Sequence, residues 1–205
     1  MLLAIDTSAG ISVAVVDRDA GILAERSSDD TRSHAELIGD FIHDCLDESG
    51  VAVSALSGVV AGMGPGPFTG LRVGIAAARV FAIGAGKPVI PVVSHDAIAF
   101  SALMNTAEPL LVVTDARRRE VYWSLYSGMD AEGLPIRVDG PHLDKPADLQ
   151  TPDGYRRLDA ATVSAGSLGL LAESLYVNKR PFAGSEPLYL RSPDITPSDG
   201  PKRVS

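Results

Sequence analysis

Leu2-Leu3-Ala4-Ile5-Asp6 opens the chain, and Leu110-Leu111-Val112-Val113-Thr114-Asp115 restates it about 109 residues later. Each run is apolar and closes on an aspartate, the pattern of a buried strand that ends in a polar turn. After the first run come a Ser8–Gly10 turn, a second strand over Ile11–Asp17, an Asp19-Ala20-Gly21 turn and a third strand over Gly21–Arg26. After the second run a polar turn leads to a strand over Glu120–Tyr126. The echo predicts a duplicated unit that begins as a strand meander. Beyond Gly128 the second copy thins to loop-rich sequence, a short strand near Thr162 and one helix over Leu168–Val177. The expected division is a first lobe over 1–106, a reduced second lobe over 107–191 and a flexible tail over 192–205, rich in Pro, Ser, Asp and Gly.

Helices and further strands fill the space between the two copies. Ser33-His34-Ala35-Glu36 reads as a capping box. Leu37, Ile38, Phe41, Ile42, Cys45 and Leu46 then recur at helical spacing, and Gly50 is placed to end the helix. Val59–Gly62 reads as a buried strand, broken by Gly64-Pro65-Gly66-Pro67. A second helix is predicted over Thr69–Ala85, in which Gly70, Gly74, Ala78, Ala82 and Gly86 fall at steps of four. Glycine inside a helix costs roughly 0.5–1 kcal/mol relative to alanine, so this ridge needs a close neighbour: the chain's own sheet, a partner, or both. With apolar residues nearly all round, the helix is expected to be covered on a second side. Val89–Val93 predicts another strand, and Ser94 or Asp96 could cap a helix to about Met104. This order of elements, repeated, is that of the α/β actin-like ATPase (ribonuclease H-like) fold, with two duplicated lobes and the second reduced.

Composition narrows the function. Charge is −8, from 18 Lys and Arg against 26 Asp and Glu, which disfavours independent binding to a phosphate backbone. The one tight basic cluster is Arg117-Arg118-Arg119, readable as a solvated hairpin tip or as a phosphate contact. A single cysteine, Cys45, allows no internal disulfide, and the N-terminus carries no signal-peptide pattern. No apolar run reads as a membrane span, because Arg72 and Arg79 interrupt the best one, Leu71–Ala85. A cytoplasmic protein is expected.

Candidate chemistry is sparse. The turn Gly64-Pro65-Gly66 feeds a helix N-terminus and, with Asp6 and Ser8, makes a degenerate phosphate-loop candidate. It has neither the Lys-Ser/Thr of a P-loop nor Rossmann glycine spacing. Asp6, Asp17 and Asp115 could face one cleft and hold a metal-bound nucleotide, but the short second half leaves little chain for an adenosine pocket. His34, His43, His95 and His142 are not paired at ligand spacing. Cys45 lies in the apolar stripe of the first helix, and Gly166-Ser167-Leu168-Gly169 lacks the strand–elbow–helix context of a hydrolase serine.

The segment Gly64-Pro65-Gly66-Pro67-Phe68-Thr69-Gly70-Leu71-Arg72-Val73-Gly74 resembles that of the TsaB (YeaZ) family, bacterial relatives of the TsaD proteins that make threonylcarbamoyladenosine in tRNA. Ile5-Asp6-Thr7-Ser8, Arg32-Ser33-His34-Ala35-Glu36-Leu37, Asp115-Ala116-Arg117-Arg118 with Glu120-Val121-Tyr122-Trp123, and Glu186-Pro187-Leu188-Tyr189-Leu190-Arg191 resemble the family in the same order. The TsaD branch carries a His-x-x-x-His metal pair, and the matching places here are Ser94 and Ile98, with His95 one residue off and Ala99 four beyond it. The resemblance therefore implies a non-catalytic scaffold without metal or cofactor. It implies pairing with a TsaD-like catalytic subunit that acts on adenosine 37 of tRNAs decoding ANN codons, and a TsaE-like ATPase that joins the pair. A separate synthase supplies threonylcarbamoyl-adenylate, tRNA is met only through the complex, and the isolated chain forms a homodimer. The family's pairing surface is its first two helices, here expected at Leu37, Phe41, Gly70, Leu71, Gly74, Ala78 and Ala82. Two other classes stay open, a free-standing nucleotide-binding ATPase or kinase of the same fold and a metallopeptidase-like enzyme.

Overall fold

The computed structural model describes residues 1–30, 34–104, 106 and 108–191. Both apolar runs are strands, β1 (Leu2–Asp6) and β6 (Leu110–Arg117), and both sit inside their sheets. In the first sheet β1 pairs antiparallel with β2 (Ile11–Asp17), which pairs antiparallel with β3 (Gly21–Ser28). On its other side β1 runs parallel to β4 (Gly58–Gly62), and β4 to β5 (Val89–Val92), giving the order β3-β2-β1-β4-β5. The second sheet has the order β8-β7-β6-β9, with β7 (Glu120–Met129) and β8 (Pro135–Asp144) antiparallel and β9 (Arg156–Ala160) parallel to β6. The second order is the first without its fifth strand, so the duplication extends to topology. No helix stands between β8 and β9 where α1 (His34–Ser49) stands between β3 and β4.

In the second sheet β8 departs from the expectation of loop, and β9 lies a few residues before the place where its strand was expected. Both are edges. Pro135, Gly140 and Pro141 in β8 are tolerated there because an edge strand need not donate along both sides. Arg156, Arg157 and Asp159 in β9 hide the apolar signal of a strand that is only half buried. The strand expected near Thr162 is this β9, and the last helix, α4 (Ala165–Val177), starts three residues before the expected Leu168. The capping residue Ser33 and the tail 192–205 lie outside the described residues.

The helices divide into two layers. α1 and α2 (Phe68–Ala85) cover one face of the first sheet, where Leu3, Ile5, Val13, Val15, Val59 and Ala61 meet Cys45, Leu71, Ile75, Ala78 and Ala82. α3 (Ser94–Leu103) and α4 lie between the sheets, so Ala4, Val16 and Val60 share one core with Phe100, Leu168, Leu110 and Val112. The two halves thus interlock through a common middle layer. Helix α4 is seated by the first lobe: Gly166 N and Ser164 Oγ donate to Glu25 Oε1 at 3.1 and 2.9 Å, and Ala165 N donates to Ser12 Oγ at 3.0 Å. A carboxylate at a helix N-terminus complements the helix dipole. Gly169 lets α4 approach β2 closely, since a Cβ there would stand 2.6 Å from a Val16 methyl.

Two polar pairs tie α3 to the second sheet. The His95 ring is fully buried, with Nδ1 2.8 Å from Ser124 Oγ and Nε2 2.9 Å from Thr114 Oγ1. Next to it Tyr126 OH donates to Asp96 Oδ1 at 2.7 Å, and Arg137 Nε stands 3.4 Å from the same oxygen. Burial, with a smaller push from Arg137, lowers the His95 pKa from 6.5 to about 3, so the ring is neutral. Burial raises Asp96, against the opposing pull of Arg137 and Tyr126. The signs oppose. A lowered histidine contributes stability that is complete above the unfolded pKa and is lost as pH falls through 6.5 toward the folded value. A raised aspartate contributes at low pH instead. The His95→Gln variant keeps hydrogen-bonding capacity without the titration. The stability advantage of wild type over this variant should shrink by about 2 kcal/mol between pH 7 and pH 5, measured by urea unfolding at each pH. An advantage independent of pH would show that His95 is not held neutral.

Candidate functional site

The turn after β1 is where a nucleotide-binding relative of this architecture would meet phosphate, and here it is packed with the chain's own groups. The Asp6 carboxylate is 1% exposed. Its Oδ1 accepts from Ser8 N at 2.8 Å and Ser8 Oγ at 2.6 Å, and its Oδ2 accepts from Ser94 Oγ at 2.5 Å. Gly64 N in turn donates to the same Ser94 hydroxyl at 3.0 Å. Gly62 gives the carboxylate its room, because a Cβ there would overlap Asp6 Oδ2. Gly66 lies flat on the turn, a Cβ there falling 2.7 Å from Ser8 Cα. Asp6, Ser8, Gly64 and Gly66, the phosphate-loop candidates, therefore lie together, closed on one another through Ser94 and the turn. Ser94, expected as a helix cap, is part of this cluster, and Val93 holds the N-cap position of α3 without a side-chain bond.

Thr7 locks the turn to α2. Its Oγ1 donates to Gly70 O at 2.7 Å and accepts from Gly74 N at 3.1 Å, which inserts a hydroxyl between the two ends of one helical i to i+4 bond. Gly74 gives the threonine its access to the helix backbone, since a Cβ there would collide with Thr7 Oγ1. The front half of the small-residue ridge is thus explained by an internal contact.

Beside this closed turn lies a cleft of about 420 Å³, bordered by Thr7, Ser8 and Gly10 on one side and Asp115 and Arg117 on the other. Asp115 is exposed there and accepts from Arg117 N at 2.8 Å through Oδ1. Asp17 does not join it. It ends β2 at the far end of the sheet and accepts from Asp19 N and Ala20 N, both at 3.1 Å, to shape the β2–β3 turn. The hairpin facing the cleft turns through three successive non-glycine residues in the left-handed region, with φ of 65° at Arg117, 54° at Arg118 and 63° at Arg119. The segment from Ala183 to Arg191 returns past both units: Ala183 N donates to Pro91 O at 3.1 Å, Leu188 N to Met63 O at 2.9 Å and Arg191 Nη2 to Arg117 O at 3.3 Å.

The expected pairing residues separate into two sets. Gly70, Leu71, Gly74, Ala78 and Ala82 are buried on the chain's own first sheet, so the ridge of α2 is an inward face. Leu37 and Phe41 of α1 are half-buried and stay near the surface. What α2 turns outward is a second apolar row, Ala76, Val80 and Ile83, with Val80 70% and Ile83 80% exposed, while Val73 is half-buried against the core. That row repeats at three and four residues, the same signal as the ridge, and only the choice of face was illegible. Contrary to the reading of Leu71–Ala85, α2 is by length and composition able to cross a membrane, being 18 residues with the addition of Phe68, Thr69 and Gly70. Its inner face is nonetheless packed on β1 and β4, Arg72 lies over the Phe68 ring at 3.7 Å and Arg79 Nη2 donates to Ser185 O at 2.8 Å.

The remaining nucleophile and ligand candidates are engaged structurally. Cys45 is buried, donates to Val13 O at 3.2 Å and has its thiol pushed up to about 11 by burial. Ser167 N caps onto Ser164 Oγ at 3.0 Å in the first turn of α4. Both nitrogens of His95 face hydroxyls. Among the described residues no group of three or more His, Cys, Asp or Glu is arranged to hold a metal ion.

Comparison with known proteins places this architecture. The family model described as TsaD, tRNA N6-adenosine threonylcarbamoyltransferase, matches residues 14–175. A Mycobacterium tuberculosis protein of uncharacterised function is 37% identical over 96% of this chain and 94% of its own length. The tRNA threonylcarbamoyladenosine biosynthesis protein TsaB of Haemophilus influenzae is 38% identical over 60% of this chain and 52% of its own. The crystal structure of YeaZ from Pseudomonas aeruginosa superposes with a TM-score of 0.76 at 28% identity, covering 92% of this chain and 99% of that one. With the same fold end to end, a match to the family model over most of its length and relatives that carry the TsaB name, the chain belongs to the TsaB (YeaZ) family of TsaD-related proteins.

Proposed function

We propose that this chain is the non-catalytic subunit that pairs with a TsaD-type transferase in forming threonylcarbamoyladenosine at adenosine 37 of tRNA. Family membership supports the pathway. The single structural observation that supports the subunit role is the turn after β1, whose Ser8 and Ser94 hydroxyls bond to Asp6 and whose Thr7 hydroxyl bonds to the backbone of α2. Acyl transfer to an adenine amine needs donors preorganised around the carbonyl oxygen of the substrate, and the turn spends its donors internally. The subunit acts in the cytoplasm, where it meets tRNA through the assembled complex, and a TsaE-like ATPase joins the pair. In isolation it forms a homodimer through the face it offers the transferase. The first lobe, residues 1–106, carries that face, and the reduced second lobe, 107–191, braces it from behind.

The face is the outward row of α2 flanked by Leu37 and Phe41 of α1. A surface with Val80 and Ile83 this exposed on one helix is characteristic of a contact that another protein covers. A Val80→Glu/Ile83→Glu variant should keep its circular dichroism spectrum and lose affinity for the transferase and for itself by about 2 kcal/mol or more, roughly thirtyfold, read by sedimentation and titration calorimetry. Ala78→Glu, by contrast, buries a charge against β1 and should unfold the chain. Wild-type affinity in the double variant would move the interface elsewhere.

A second reading, a nucleotide-binding ATPase, is favoured by one observation, the cleft that Asp115 borders. Reconstitution with the transferase, the TsaE-like ATPase and the adenylate synthase separates the two. Omission of this chain should abolish modified tRNA, and this chain with the synthase alone should yield none. Robust product without it would refute the subunit role, and saturable, hydrolytic ATP binding by the isolated chain would establish the alternative.

A further inference from the structure

The arginine tip of the β6–β7 hairpin has no part in the subunit reading, yet it borders a second cavity of about 420 Å³ at the start of α2. Arg117, Arg118 and Arg191 line this cavity, and no carboxylate does. Arg117 pairs with Asp115 at 3.4 Å, and in a chain of net charge −8 three arginines on one lining still stand apart from the rest of the surface. Arg191 is held in place by its ion pair with Glu120 and by its bond to Arg117 O at 3.3 Å. The lining is also aromatic, with Phe68 and Tyr189 in tilted contact at 4.8 Å between ring centroids. The backbone adds an independent sign. Asn, Asp and Gly enter the left-handed region far more readily than arginine, yet three arginines occupy it in succession. The guanidiniums there are kept at a conformational cost.

We propose that this cavity and the tip beside it form a contact for an RNA strand. Arg117 and Arg118 take backbone phosphate oxygens, and the Phe68–Tyr189 wall lies against an adjoining base. The shared chemistry is a phosphate next to a nucleobase, which a free nucleotide also offers. The run of charge decides for a strand: Arg117, Arg118 and Arg119 follow one another at the tip, three guanidiniums where a single phosphate needs one or two. The contact is too small to bind RNA by itself and adds to whatever the transferase supplies, so the inference rests on the proposed subunit role.

The test uses the wild-type and Arg117→Asn/Arg118→Asn chains, each assembled with the transferase, and full-length tRNA as the probe. Asparagine enters the left-handed region readily, so the substitutions remove charge without adding backbone strain. Transferase affinity should be unchanged. The slope of log K against log salt for tRNA should fall by about 1.5, the loss of two phosphate contacts at 0.7–0.9 each, with roughly tenfold weaker binding at physiological salt. Arg118→Asn alone should give about half that change in slope, which keeps the test valid should the double variant fold poorly. An unchanged slope with intact pairing overturns the inference and leaves the subunit role standing. In a parallel arm the isolated chains are titrated with ATP and AMP; saturable binding lost in the double variant, together with an unchanged tRNA slope, would assign the cavity to a free nucleotide and overturn the RNA contact. A wild-type chain that fails to pair with the transferase would fell the subunit role and this inference with it.

Discussion

The contact between Thr7 and the backbone of α2 governs the rest of the molecule. A hydroxyl set between Gly70 O and Gly74 N anchors the end of β1 to the helix that covers it. The neighbouring Asp6 carboxylate gathers Ser8 and Ser94, so the start of α3 is drawn to the same point. One three-residue turn therefore fixes β1, α2 and α3 relative to one another. A buried carboxylate is tolerated only when its oxygens are satisfied, and here Ser8 and Ser94 satisfy them.

Once that turn is closed, the inward ridge of α2 is committed to the first sheet and its outward row is left exposed. Small residues inside let the helix lie close to β1 and β4, and larger apolar ones outside leave a surface that water covers poorly. The duplication is completed by the middle layer. Helix α4 belongs to the second copy in sequence yet is seated by Ser12 and Glu25 of the first, while α3 belongs to the first and is tied by His95 and Asp96 to the second. Neither lobe closes its core without a helix of the other, which ties the two together in a chain whose single cysteine allows no internal disulfide.

Interlocking of this kind suits a subunit whose contribution is a surface. An enzyme of this architecture would need a cleft whose walls move about a ligand; here the inner wall is fastened by hydrogen bonds and the return segment from Ala183 to Arg191 straps both units. What remains available for recognition lies on the outside, in the apolar row of α2 and in the basic hairpin tip. They suit partners of opposite character, a protein face and a phosphate chain.

The sequence by itself determined the class of fold. The two apolar runs ending in Asp6 and Asp115, the strand meander and the helix boundaries were legible because burial imposes a period on side chains that does not depend on distant contacts. The absence of a His-x-x-x-His pair was legible as well, since ligand spacing is local. Three matters were decided only by the tertiary structure. β8 was hidden, and the bounds of β9 were displaced, because an edge strand accepts proline and charge that an inner strand would reject. The face of α2 that packs on the sheet was hidden because the ridge and the outward row are both apolar at helical spacing, and the position of Thr7 says which side the sheet takes. The fate of the glycine turn was hidden because Gly64 and Gly66 permit close approach by any group. Whether that group is a phosphate or the chain's own Ser8 depends on where a residue some sixty positions away comes to rest, a long-range contact that no local pattern encodes.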